Sequence, residues 1–219
     1  MSDAYATVQK PWLSPELADP DGLAGVGGDL NPTTLLLAYS EGVFPWFNQG
    51  DPVLWWSPDP RAIIEIDSLH VSRRLARTIA SGKFTITFDT CFETIMQACG
   101  EDRPEGTWIT PTMLEAYGRL HMLGYAHSVE VWCENQLAGG LYGVSLGGLF
   151  SAESMFHRVT DGSKVAMVAL MAHAKARGYE LVDVQMTTEH TQRMGAVNIT
   201  RTAYLKRLKK AIGRQVRFV

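Results

Sequence analysis

Leu149-Phe-Ser-Ala-Glu-Ser-Met-Phe156 and Leu181-Val-Asp-Val-Gln-Met186 are apolar runs at strand spacing, and between them Ser163 to Ala176 repeats its apolar residues at helical spacing before stopping at Arg177-Gly178. Each strand carries polar side chains where a buried run ordinarily has none: Glu153 in the first, Asp183 and Gln185 in the second. Two residues apart in a strand, Asp183 and Gln185 project on one face, and buried polar groups need partners. If the two strands are neighbours, two carboxylates and an amide meet. Such a trio could hold an ammonium or guanidinium group and accept a proton from an attacking amine. A purely structural hydrogen-bond network would use the same residues equally well.

Outward from this core the pattern stays regular. His127 to Cys133 and Leu137 to Ser145 read as strands joined by a hairpin at Glu134-Asn135-Gln136, and Phe84-Thr-Ile-Thr-Phe88 alternates as a half-buried strand does. Cys91 to Cys99 and Pro111 to Leu123 read as helices, the second with Pro111 near its start and Gly124 at its stop; Thr202 to Ile212 reads as a final basic helix. The order strand, helix, helix, three strands, helix, strand, helix predicts an α+β fold of acetyltransferase-like (GNAT-like) type, a mixed sheet with flanking helices that splays to admit an acyl donor. Four of the six tryptophans, Trp12, Trp46, Trp55 and Trp56, fall in the first 60 positions among Gly and Pro clusters. Asn31 is expected to cap a short helix that begins at Pro32 and runs through Tyr39. This predicts a small loop-rich N-terminal domain over 1–62 and a catalytic domain over 63–219 that ends in a basic tail.

Composition excludes several classes. At 46% hydrophobic and 20% charged residues the chain is ordinarily globular, and no apolar run approaches the roughly 18 residues of a membrane span. Met-Ser-Asp-Ala-Tyr-Ala-Thr at the start has no basic-then-apolar leader pattern, and three cysteines build no disulfide framework, so a cytoplasmic location is expected. Six histidines without paired spacing and no C-x-x-C predict no metal. Gly25-Val-Gly27-Gly28-Asp-Leu30 follows no strand and reads as a tight turn, not a dinucleotide loop. Phe156 to Ser163 lacks the glycine-rich loop that acetyl-CoA needs before the helix, so no cofactor is expected. The net charge of −3 hides an asymmetry: +8 in the last 30 residues, −11 before them. Such a basic end can draw a polyanion, although a solvated helix face has the same composition. Trp46, Trp108, Leu141, Phe150, Met155 and Leu170 are candidates for an apolar pocket, with Trp108, in the turn-rich Arg103 to Pro111, suited to stacking on a base.

Seven strings, in order, then carry a resemblance. Gly42-Val-Phe-Pro-Trp-Phe47, Leu54-Trp-Trp-Ser-Pro-Asp-Pro-Arg61, Glu105-Gly-Thr-Trp-Ile-Thr110, Ala126-His-Ser-Val-Glu-Val-Trp132, Gly139-Gly-Leu-Tyr-Gly143, Glu153-Ser-Met-Phe156 and Asp183-x-Gln185 together resemble the bacterial leucyl/phenylalanyl-tRNA–protein transferases. The resemblance implies transfer of leucine or phenylalanine from Leu-tRNA or Phe-tRNA to proteins with N-terminal Arg or Lys. The product would be a degradation signal of the N-end rule, made without metal, acetyl-CoA or membrane, by an enzyme for which a monomer suffices. It implies that Asp183, Gln185 and Glu153 are catalytic, that Trp46 and Trp108 lie near the terminal adenosine, and that Tyr39 and Tyr117 belong to the site. Leu141, Phe150, Met155 and Leu170 would line the amino-acid pocket. Leu141 and Leu170 replace methionine and phenylalanine of one relative, which bears on the preference between leucine and phenylalanine. Arg201, Lys206, Arg207, Lys209 and Lys210 are the expected tRNA contacts. The competing readings are an acetyl-CoA-dependent N-acetyltransferase and a non-catalytic tRNA- or degron-binding module.

Overall fold

The computed structural model describes residues 10–101 and 106–219; the leader reading at the first positions and the Arg103 to Glu105 part of the Trp108 loop fall outside the described residues. Strands β1 (Leu23–Val26), β2 (Phe44–Pro45) and β3 (Leu54–Trp56) form a small antiparallel sheet in the order β1-β3-β2, with helix α1 (Pro32–Ser40) between the first two. The N-terminal segment is therefore more ordered than a set of turns. Asn31 holds the N-cap position of α1, but its side chain makes no capping bond. Asp29 substitutes: its Oδ1 accepts from the Asn31 backbone N–H at 2.9 Å and from the Thr34 hydroxyl at 2.7 Å.

The main sheet is built from β4 (Arg61–Ile64), β5 (Thr85–Phe88), β6 (Ala126–Cys133), β7 (Gln136–Leu146), β8 (Leu149–His157), β9 (Leu181–Gln185) and β10 (Val197–Ile199), in the order β10-β4-β9-β8-β7-β6-β5. All neighbours are antiparallel except β8 and β9. The β6–β7 hairpin turns at Glu134 and Asn135, whose φ angles of 51° and 60° are those of a type I′ turn. Helix α5 (Gly162–Arg177) makes the crossover from β8 to β9, as a parallel pair requires. The pair registers only over Leu149↔Leu181, Phe150↔Val182 and Ser151↔Asp183. Beyond Ser151, β8 runs on to His157 while β9 ends at Gln185, and the sheet opens there. This is the splayed, acetyltransferase-like α+β arrangement that the element order predicts.

The periodic reading missed β1 to β3, with β1 running into the glycine turn expected to follow no strand, and also α2 (Arg73–Ala80), the five-residue α6 (Glu189–Arg193), β10 and β4. Strand β4 straddles the expected 62/63 boundary and sits in the interior of the main sheet, between β9 and β10. Helices α3 (Phe92–Gly100) and α4 (Pro111–Met122) share one apolar core with the N-terminal segment: Trp12, Leu35, Tyr39 and Trp55 pack with Ile95, Met113, Tyr117 and Tyr142. On the opposite face α5 buries Val165, Met167 and Leu170 against Val129, Leu141 and Phe150. Helix α7 (Arg201–Ile212) closes the remaining ground with Tyr204, Leu208 and Ala211 over Ile63, Leu149 and Leu181. The chain does not end as a free tail: Phe218 is buried, stacked on Phe150 at 5.3 Å and on His127 at 4.4 Å, with its carbonyl accepting from His173 Nε2 at 2.7 Å.

Candidate functional site

The opening between β8 and β9 is a cavity of about 1000 Å³ whose wall includes Trp46, Trp108, Glu153, Met155, Phe156 and Gln185. Strand geometry explains the meeting. Ser151, Asp183 and Gln185 lie on one sheet face because Ser151 pairs with Asp183, and Gln185 follows two residues on. The Gln185 amide donates from Nε2 to the Ser151 hydroxyl and to Glu153 Oε1, both at 3.0 Å, and Ser151 also donates to Glu153 at 3.0 Å. Gln185 holds a φ of 54°, a left-handed conformation in which a non-glycine side chain is strained.

Asp183, expected to face the substrate, does not. It is fully buried and absent from the cavity wall. Its carboxylate takes a two-pronged ion pair from Arg61, Nε to Oδ1 at 2.9 Å and Nη2 to Oδ2 at 2.6 Å, and accepts from the Tyr204 hydroxyl at 2.8 Å and from the Gln185 backbone N–H at 2.9 Å. Arg61 is buried too, donating from Nη1 to the Gly42 carbonyl at 3.1 Å and lying over the rings of Phe44 and Tyr204. Burial alone would lower the pKa of this guanidinium; the charge and hydrogen bonds of Asp183, together with Tyr204 and Glu153, outweigh it and hold the pKa above the usual arginine value. The sequence reading placed Arg61 at a domain boundary and missed it as the partner. The signal was available: a carboxylate in an apolar strand demands a cation.

Of the two acids of the trio, Glu153 is the one that reaches the cavity. Burial pushes its carboxyl from 4.5 up to about 7, and the neighbouring Asp183 charge adds to the rise; hydrogen bonds from Tyr39 and Ser151 and the charge of Arg61 pull the other way. Tyr39 on α1 and Tyr117 on α4 are both buried behind it, with their hydroxyls bonded to each other. A carboxylate only accepts, so Tyr39 donates to Glu153 and Tyr117 donates to Tyr39. Neither tyrosine lines the cavity; they support its acid.

Of the four expected pocket residues, Met155 alone is on the cavity wall. Leu141, Phe150 and Leu170 are fully buried in the core cluster that Met155 packs against, one layer behind it. The branched and aromatic bulk that marks a pocket lining marks a core equally well. Trp46 is 38% exposed and meets Trp56 edge-on at 5.8 Å, with its backbone carbonyl accepting from Trp56 Nε1. The basic end is also partly committed. Arg207 forms a two-pronged pair with Glu65 at 2.6 and 2.7 Å, Lys210 pairs with Glu180 at 3.2 Å, and Arg201 donates to the Ser57 carbonyl at 2.6 Å. Lys206 and Lys209 instead line a groove between α7 and the N-terminal segment, beside Lys10 and Trp12. Among the described residues there is no cluster of metal-ligating side chains and no helix long and apolar enough to cross a membrane.

The family model for leucyl/phenylalanyl-tRNA protein transferase matches residues 63–209, and the model for the N-terminal domain of the same family matches residues 28–59. A leucyl/phenylalanyl-tRNA–protein transferase of Magnetococcus marinus is 53% identical over 207 residues, covering 92% of this chain and 88% of its own. One from Chromobacterium violaceum is 48% identical over 213 residues, covering 92% and 91%. Among solved structures the chain is similar to L-PGS from Bacillus licheniformis (TM-score 0.45, 13% identity, 72% of this chain and 66% of that one). An aminoglycoside acetyltransferase from a soil metagenome is also similar (TM-score 0.41, 14% identity, 51% and 84%).

Proposed function

Because the chain belongs to the leucyl/phenylalanyl-tRNA–protein transferase family and is thus an aminoacyltransferase, we propose that its splayed cavity joins the leucine or phenylalanine of an aminoacyl-tRNA to the N-terminal Arg or Lys of an acceptor protein. The observation that carries this reading is the cavity itself, which combines two tryptophans, an apolar Met155 and the Glu153–Gln185 pair on one wall. The tryptophans offer flat faces to the terminal adenosine, and Met155 offers apolar contact to the amino-acid side chain. The reacting ester is already activated, so placing the amine against the carbonyl supplies much of the acceleration, about 7–11 kcal/mol for well-oriented partners.

Glu153 takes the proton. Gln185 gives both amide hydrogens to Ser151 and Glu153, which leaves its Oε1 to accept from the incoming α-amine. The amine nitrogen attacks the ester carbonyl, a C–N bond forms, the C–O bond to the ribose breaks, and the proton lost by nitrogen passes through Glu153 to the departing ribose oxygen. A group titrating at about 7 suits both halves of this exchange. On this reading the product is marked for degradation in the cytoplasm by the N-end rule, and one copy of the chain is sufficient. An acetyl-CoA reading meets an obstacle at the start of α5, where a pyrophosphate would lie: Asp161, paired with Arg74 at 2.6 Å, sets a carboxylate there. The test is incubation with labelled Phe-tRNA and a peptide beginning with Arg; transfer of label to the peptide supports the proposal, and none, beside an active relative, refutes it.

A further inference from the structure

Arg158, one residue beyond β8, lies over the ring of Phe156 at 5.5 Å and donates from Nη2 to Glu101 at 2.8 Å. All three line the reaction cavity. Apart from Glu153, Glu101 is the sole carboxylate on that wall among the described residues. A carboxylate beside an aromatic face is the arrangement a guanidinium selects, through charge, directed N–H donation and stacking on the ring. In the free protein the chain's own arginine fills it. We infer that Glu101 and Phe156 form the subsite for the cationic side chain of the acceptor's first residue, and that Arg158 is an internal occupant which that side chain displaces.

The placement is consistent with the proposed reaction, on which this inference rests. Phe156 stands three residues past Glu153 on the same strand, about 10 Å further along it. An acceptor whose α-amine meets Glu153 and Gln185 can thus extend its side chain along β8 toward Phe156 and Glu101. Both members of the Glu101–Arg158 pair are about half exposed, so the pair is cheap to open. Lysine satisfies the carboxylate as a point charge; arginine satisfies both the carboxylate and the ring. Acceptors without a cation leave the Arg158 pair closed and gain neither contact.

Steady-state transfer from Phe-tRNA to three peptides differing only in their first residue, Arg, Lys or the neutral isostere citrulline, tests this. For the unaltered enzyme, KM is lowest for Arg. Glu101→Gln should raise KM for the Arg peptide about three- to tenfold, leave kcat and KM for Phe-tRNA unchanged, and narrow the Arg-to-citrulline ratio. Arg158→Ala should lower KM for Arg, because the occupant is gone while the acid stays. A merely structural pair would move all three peptides together, and that result, or an unchanged Arg-to-citrulline ratio in Glu101→Gln, overturns the subsite while leaving the transferase reading intact. Absence of transfer by the unaltered enzyme overturns both.

Discussion

Replacing Glu153 by Gln should make the protein more stable and nearly inactive, and the stability gain should depend on pH in a definite sense. In the unfolded chain this carboxyl loses its proton near 4.5, whereas in the fold burial keeps the proton on until about 7. Between those values the folded state binds more protons than the unfolded one, so the contribution of Glu153 to stability falls as pH rises through that window and is fully adverse above it. At 1.36 kcal/mol per pH unit the span is worth about 3 kcal/mol; partial solvent contact at the cavity wall reduces this to ~1–2 kcal/mol. Gln cannot ionise and keeps an acceptor for Tyr39. At pH 8 the variant should therefore melt about 2–6 °C above the parent, and at pH 5 most of that difference should be gone, for a chain of this size. Thermal unfolding from pH 5 to 8.5, followed by circular dichroism, measures this. In parallel, transfer should drop about 10²–10⁴-fold with the loss of the proton acceptor, and the limb of kcat/KM near pH 7 should disappear. A melting difference that stays flat with pH, or a variant less stable than the parent at pH 8, would refute the reasoning.

Four further outcomes are expected. Arg61→Met strands the Asp183 charge in the core and should cost about 3–5 kcal/mol in urea unfolding; adding Asp183→Asn should recover part of the loss, because no uncompensated charge remains. Trp108→Ala should raise KM for Phe-tRNA by about 5- to 150-fold, the worth of one stacked base, with kcat largely kept. Lys206→Glu with Lys209→Glu should weaken tRNA binding and flatten its salt dependence by about two ions in a log–log filter-binding plot. Phe218→Ala removes a buried ring from the core behind Phe150 and should cost about 3–5 kcal/mol by denaturant titration.

The strands and helices legible from sequence are those with a clear apolar rhythm or clear end signals: α1, β5 to β9, α3 to α5 and α7. The missed ones are short or carry a mixed pattern. Strand β4 is Arg-Ala-Ile-Ile, and its arginine reads as a surface residue until the buried partner is known. Strand β10 is Val-Asn-Ile at the sheet edge. Helix α2 buries only Leu75 and carries Arg73, Arg74 and Arg77 among its eight residues, so it reads as a polar stretch. The site was legible as a set of residue types and not as roles. Glu153, Asp183 and Gln185 all stand out as polar groups in apolar strands, but whether a carboxylate faces a cavity or a counter-ion depends on residues far away in the chain. Arg61, 122 positions away, and Tyr204, 21 positions away, decide it for Asp183. Tyr39 and Tyr117 came only through the resemblance, and the structure places them behind the acid. The basic end shows the same limit: composition gives the number of cations, while the ion pairs to Glu65 and Glu180 determine which of them are already satisfied.

The saturation of Asp183 bears directly on how the reaction is run. A carboxylate has about four acceptor sites, and this one receives two bonds from Arg61, one from Tyr204 and one from the Gln185 backbone, with a longer contact of 3.5 Å from the Ser151 hydroxyl besides. It has no lone pair to offer an amine. Its influence has to pass through what it holds, and the bond to Gln185 N falls at the residue with the strained φ of 54°. That bond pins the turn that aims the Gln185 amide at Ser151 and Glu153. Arg61 draws β4 to β9 and the Gly42 turn to both, while Tyr204 ties in α7, so the N-terminal segment and the last helix both bear on the conformation of one glutamine. The negative charge that remains after pairing with Arg61 also helps keep Glu153 protonated near neutrality. In the proposed reaction Asp183 is thus a positioning residue: it holds the backbone of Gln185 and raises the proton affinity of Glu153, the two groups proposed to meet the reacting atoms.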